Sequence, residues 1–138
     1  MAPTMNEASR SRIGWLILRI HLAGLVAAHG YYRLLTGGTA GFGEYLESQD
    51  LPFGLAIAWG ITLTEVVGSL LLAAGRFVFP VSLVLSAIYL VGIFMVHASN
   101  GWFVVGAGRN GAEYSVLLIV ALLCVGLQHL PTRKGARA

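Results

Sequence analysis

"FGLAIAWGITLTEVVGSLLLAAGRFVFPVSLVLSAIYLVGIFMVHA", residues 53–98, has only Glu65, Arg76 and His97 as charged or imidazole side chains. Each half is long enough to cross about 30 Å of hydrocarbon at about 1.5 Å per residue. The break between them is Gly75–Arg76: glycine is the usual residue just past a helix end, and the arginine makes the turn polar. Pro80 falls in the first turn of the second half, where its missing N–H costs little. The stretch therefore predicts a helical hairpin through a bilayer, with spans over residues 53–74 and 77–98.

Two more apolar stretches flank it, residues 13–35 and 112–130. The expected fold class is all-α: a four-helix transmembrane bundle with a short interfacial segment in the first outer loop, forming one domain over residues 1–138. Composition agrees. Of the 138 residues 57% are hydrophobic and only 11% charged, too few charges for the surface of a soluble domain of this size. The basic balance therefore does not point to nucleic acid, and no basic patch interleaved with aromatics is present. Cys124 is the only cysteine, so an internal disulfide is excluded, and no metal-ligand spacing appears.

The first span has a rival reading. Arg10 and Arg12, an apolar run and "LVAA" before His29 have the order of a cleavable leader. Arg19 and His21 lie inside the supposed leader core, which favours a retained helix. The Lys/Arg bias sets orientation. Arg10, Arg12, Arg76, Arg133, Lys134 and Arg137 fall on one side, and only Arg33 and Arg109 on the other. Both termini are expected in the cytoplasm. Phe42, Tyr45 and Leu46 alternate with acids in the first outer loop, as in a helix lying at the interface. Trp102 and Phe103 are expected interfacial anchors.

Ionisable groups inside the spans are costly and call for partners. Arg19 lies about 9 Å, and Glu65 about 15 Å, from the cytoplasmic ends of their spans, so an Arg19–Glu65 buried ion pair is expected. It serves either a site or simply the locking of two helices. On a helical wheel Arg19, Val26, Gly30 and Arg33 share a face, with His29 beside it and His21 pointing away. Ala58, Thr62, Glu65, Gly68 and Ser69 share a face of the second span, where small residues favour close packing.

His29, His97 and Glu113 lie toward the outer ends of their spans, and a bundle can bring them together as a proton-exchanging mouth, since histidine as a residue type titrates near neutrality. Arg33 would bind ligand there. Ser86 and Leu90 fall on the face of His97, and Leu117, Val120 and Cys124 on that of Glu113. The expected result is a narrow apolar channel below the mouth, closed by Arg19–Glu65. The competing reading makes the histidines ordinary interface residues. His129 reads as interfacial and Cys124 as an inert buried thiol.

The stretches "LRIHLAGLVAAHGYYRLL", "LPFGLAIAWGITLTEVVGSLLLAAG" and "HASNGWFVVGAGRNGAEYSVLLIVALL" together resemble the DoxX family of small bacterial membrane proteins, over residues 13–130. The matching positions are Arg19, Gly30 with Arg33, Glu65 with Gly68, His97, and the Asn110/Glu113 opening of the last span. Arg33 stands where lysine is common, which keeps the charge and changes the donor geometry. The resemblance implies a four-helix inner-membrane bundle and adds Asn110 to the ligand-binding positions. It further implies a subunit or partner of a quinone-linked or thiol-redox oxidoreductase system. The suggested cofactor is a quinone. Expected partners are membrane lipid and a protein of a redox complex, with a homo-oligomer left open. A non-catalytic assembly partner and a small-molecule binder or carrier remain as alternatives.

Overall fold

The computed structural model describes residues 6–130. Arg133, Lys134 and Arg137, which entered the orientation argument, lie outside the described residues. Helix α1 (Glu7–Thr36) starts where Asn6 accepts a hydrogen bond from the Ser9 N–H at 2.8 Å, and it ends at Gly37 in the left-handed conformation. A short α2 (Thr39–Ser48) follows, then α3 (Gly54–Ala74), α4 (Val78–Gly92) and α5 (Glu113–Gln128). Between α4 and α5 come a π-helical turn (Ile93–His97), a 3-10 turn (Ala98–Asn100) and an irregular loop.

Gly75, with φ 69°, stops α3, and the Arg76 N–H closes on the Leu71 carbonyl at 2.9 Å. Glycine carries no Cβ penalty in that conformation. The chain can therefore reverse at once into α4. The four long helices form a ring in which α3 touches α1 and α4, and α5 touches α4 and α1. α2 lies across the start of α3. There a Cβ on Gly43 would come within 2.8 Å of the Leu55 Cα, so the two backbones touch only because glycine stands at the crossing.

The interior is built from Leu22, Val26, Leu72, Leu85, Leu118, Leu122 and Val125. The outside is equally apolar, with Ile17, Phe77, Phe94 and Leu117 exposed on it. Apolar side chains both inside and outside suit a bilayer, where close packing and polar contacts, not apolar burial alone, hold helices together. α1, α3 and the continuous α4 with its two turns have the length and hydropathy of membrane spans, and α5 is a shorter apolar helix. The fold is all-α, a four-helix membrane bundle.

Three features depart from a uniform four-span pattern. α1 begins six residues before its apolar stretch, because Asn6 caps it and Arg10 and Arg12 are good helix formers. α5 has 16 residues, about 24 Å, which falls short of the hydrocarbon thickness. Third, Leu117, Val120 and Cys124 are exposed, and the buried face of α5 is Ser115, Leu118, Leu122, Val125 and Gly126. These three side chains therefore face outward and do not line a channel inside the bundle, and the Cys124 thiol is exposed where a buried one was expected. The phase follows from Gly126, whose missing Cβ lets α5 pack on Ser82 of α4.

Candidate functional site

At the end of the bundle where α2 and the long loop sit, the helices leave a cavity of about 330 Å³. It opens between α1, α2, α3, the end of α4 and the start of α5. Its wall includes His29 and Arg33 from α1, Glu65 from α3, Tyr89 and His97 from the third span, and Asn110 and Tyr114 near α5. Five of the residues singled out in the sequence therefore meet at one cavity: His29, Arg33, Glu65, His97 and Asn110.

Glu65 is the innermost of them, buried with only 2% of its surface accessible. Its Oε2 forms an ion pair with the Arg33 guanidinium, and its Oε1 accepts a hydrogen bond from the Tyr89 hydroxyl at 3.2 Å. Arg33 also donates from Nε to Thr62 Oγ1 at 3.1 Å and lies 5.0 Å over the Phe42 ring. One carboxylate, one guanidinium and three neighbours thus satisfy one another, as a charge out of water requires. Two helices meet here because of Gly30. A Cβ at that position would stand 2.9 Å from the Glu65 Cβ and 3.1 Å from the Val66 N.

The expected Arg19–Glu65 pair is not formed. Gly30 packs on Glu65, which brings the carboxylate within reach of Arg33, while Arg19 sits about 16 Å below Gly30 along α1. Arg19 lies instead against Gly75, at the far end of α3, and its Nη1 donates to His129 Nε2 at 2.9 Å. His129 donates from Nδ1 to the Val125 carbonyl at 2.8 Å, which leaves Nε2 as the acceptor. α1 overshoots α3 at that end, so distances measured from the ends of the two apolar stretches do not give relative depth.

His97 closes the π-helical turn, and its Nδ1 donates to the Asn110 carbonyl at 2.8 Å. In a neutral ring this leaves Nε2 as an acceptor. Asn110 itself holds φ 59°, a conformation asparagine tolerates better than most residues, and this turns its carbonyl toward His97. Its contribution is thus backbone more than side chain. His29 packs edge-on against Tyr89, with ring centroids 6.2 Å apart. No intramolecular hydrogen bond engages the His29 ring or the Tyr114 hydroxyl among the described residues.

Glu113 stays outside the cavity. It opens α5 and accepts a hydrogen bond from the Val104 N–H at 2.9 Å, so its carboxylate ties down the long loop. A carboxylate in the first turn of a helix also suits the positive end of the helix dipole.

Tyr89, Thr62, Phe42, Tyr45 and Tyr114 were not singled out in the sequence as site residues. Tyr89 was hidden by helical phase: a regular helix through His97 puts Leu90 on its face. The π-helical turn at Ile93–His97 holds one extra residue, which moves that face back to Tyr89 and leaves Leu90 exposed. The same turn changes the carbonyl pattern, and the Tyr45 hydroxyl of α2 donates to the Met95 carbonyl at 3.0 Å. Tyr45 thereby ties α2 to the end of the third span. Gly92, immediately before the turn, is the one local hint in the sequence.

A family model described as DoxX matches residues 14–98. The chain belongs to the DoxX family. The matched stretch contains α1 from Gly14 onward, α2, α3 and the third span through His97, so the Arg33–Glu65–Tyr89 cluster lies wholly within it. Asn110, Glu113 and Tyr114 fall beyond its end. No curated protein and no solved structure matches this DoxX chain. Family and hydropathy together make it an integral membrane protein. No group of three or more histidine, cysteine, aspartate or glutamate side chains suited to a metal ion occurs among the described residues.

Proposed function

We propose that this DoxX protein is the membrane subunit of a quinone-linked redox system, and that the cavity between His29 and His97 receives a quinone-like headgroup. The observation that carries the reading is the buried Glu65, clamped by Arg33 and Tyr89 in the wall of a cavity of about 330 Å³. That volume lies at the lower end of the range for small-molecule sites, which suits one substituted ring. The fit is also chemical. A headgroup of this kind has two carbonyl oxygens about a ring apart, and it supplies two-electron redox chemistry coupled to protons.

The chain's own residues have matching tasks. Tyr114 and His29 have free polar atoms at the cavity and bind carbonyl oxygens through their O–H and N–H. Arg33, held by Glu65 and Thr62, keeps positive charge beside the cavity without a net charge in the membrane. His97 holds its Nδ1 proton on Asn110 and offers Nε2 to accept or return a proton. Ile61, Ile88 and Met95 in the wall exclude water from the ring. Glu65 acts through Arg33 and Tyr89 and is a positioning residue. Glu113, fixed on Val104, has no part in proton exchange in this reading.

The chain lies in the inner membrane with both ends in the cytoplasm, so the cavity opens toward the outer face. The single cysteine faces away from the cavity, which disfavours intrinsic thiol chemistry and leaves electron delivery to a protein partner. Mass spectrometry of small molecules retained after purification in mild detergent tests the proposal. Recovery of a quinone from wild type, and its loss from a His29→Ala/His97→Ala variant, is expected. Equal recovery from both, or recovery from neither, contradicts it.

A further inference from the structure

We infer that the opposite end of the bundle carries a second site, which binds the phosphate of an anionic phospholipid between α1 and α5. It is independent of the redox reading. A groove of about 590 Å³ lies there, walled by Ser11, Arg12, Trp15 and Arg19 of α1 and by Gln128 and His129 at the end of α5. No carboxylate lines it among the described residues. The one ion pair among the described residues joins Arg33 to Glu65 at the other end of the molecule, so neither Arg12 nor Arg19 has an acidic partner among them. The Arg19 Nε is buried without a hydrogen-bond partner among the described residues, while its Nη1 is held by His129. A guanidinium that lines a groove at a membrane boundary and has no carboxylate partner among the described residues suits an anion supplied from outside the chain.

Geometry selects a lipid over a free anion. Arg12 and Arg19 are seven residues apart, on one face of α1 and about 10 Å apart along its axis. Arg19 is level with Gly75 at the end of α3, so Arg12 projects past the hairpin turn, at the depth of headgroups. Between them stands Trp15, a residue that settles at the interface, and Leu16 continues the wall with apolar surface. Cations thus flank an aromatic and apolar wall. A phosphate can engage Arg19 and Arg12 while acyl chains run along Leu16. Among the described residues α1 extends beyond the end of α3 and nothing covers the overhang.

Native mass spectrometry of the full chain, exchanged into an equal mixture of phosphatidylglycerol and phosphatidylcholine, reads the site directly. Wild type should retain phosphatidylglycerol preferentially. Arg12→Gln, an exposed change that leaves the fold intact, should reduce that preference about fivefold, and Arg19→Gln at least as much. Arg109→Gln, at the other end of the bundle, should leave it unchanged. No preference in wild type, an unaltered preference in Arg12→Gln, or an equal loss in Arg109→Gln overturns the inference. Displacement of the lipid by millimolar inorganic phosphate would make the occupant a free anion and overturns the lipid assignment.

Discussion

Arg33 on α1 and Glu65 on α3 form an ion pair directly beside the point where Gly30 brings the two helix backbones together. Placement and chemistry depend on each other there. The glycine sets the depth of the carboxylate, and the carboxylate fixes the arginine at the cavity wall.

Breaking a buried pair by removing one partner costs about 3–5 kcal/mol, because the other charge is stranded. Arg33→Leu and Glu65→Leu should each lower the midpoint of thermal unfolding in detergent, and the double variant should recover much of the loss. Arg19→Leu combined with Glu65→Leu should instead give additive losses, since those side chains do not touch. Rescue of Glu65→Leu by Arg19→Leu and not by Arg33→Leu would contradict the pairing.

Gly30→Ala places a Cβ 2.9 Å from the Glu65 Cβ, and overpacking of this kind costs about 1–3 kcal/mol. At Gly24, on the same helix, an added Cβ meets nothing within 4 Å. Gly24→Ala should therefore hold or raise stability, because alanine favours helix by about 0.5–1 kcal/mol over glycine. Opposite signs in thermal unfolding of the two variants are expected. A stabilised Gly30→Ala would show that α1 and α3 are not in contact at that level.

Tyr89→Phe removes one donor from the Glu65 carboxylate while keeping the ring that packs on His29. A hydrogen bond to a charged group contributes about 1.5–3 kcal/mol. The variant should lose stability in that range, and the loss should nearly vanish when Glu65 is already leucine. An equal loss in both backgrounds, measured as a double-mutant cycle, would place the Tyr89 hydroxyl elsewhere.

Much of this could be read from residues alone. The hairpin over residues 53–98 followed from an apolar run broken at Gly75–Arg76, and a helix cap is local chemistry. His29, Arg33, Glu65, His97 and Asn110 were legible as a group because polar side chains in apolar spans are scarce. The partner of Glu65 was not, because it depends on the register of α1 against α3, which Gly30 sets through a contact between distant residues. Tyr89 escaped because a π-helical turn shifts helical phase, and no residue type marks such a turn reliably. Glu113 opens α5 as read from the sequence, but its carboxylate accepts from the Val104 N–H of the preceding loop and does not line the cavity.

Orientation is open to direct labelling. In a Cys124→Ser background, Ser48→Cys at the end of α2 should react with a membrane-impermeant thiol reagent in intact cells. Ser9→Cys at the start of α1 should react only after lysis. The reverse pattern would turn the cavity toward the cytoplasm and require electrons and protons to reach it from that side.

The central claim is that the cavity walled by His29, Arg33 and His97 holds a quinone-like ring. Thermal unfolding of the purified protein, titrated with short-chain ubiquinone and menaquinone analogues, measures this most directly. A saturable rise in the midpoint is predicted for wild type and for Glu113→Gln, with a much smaller rise for His97→Phe and for His29→Ala. An absent rise in wild type, or one that His97→Phe and His29→Ala leave unchanged, would contradict the account.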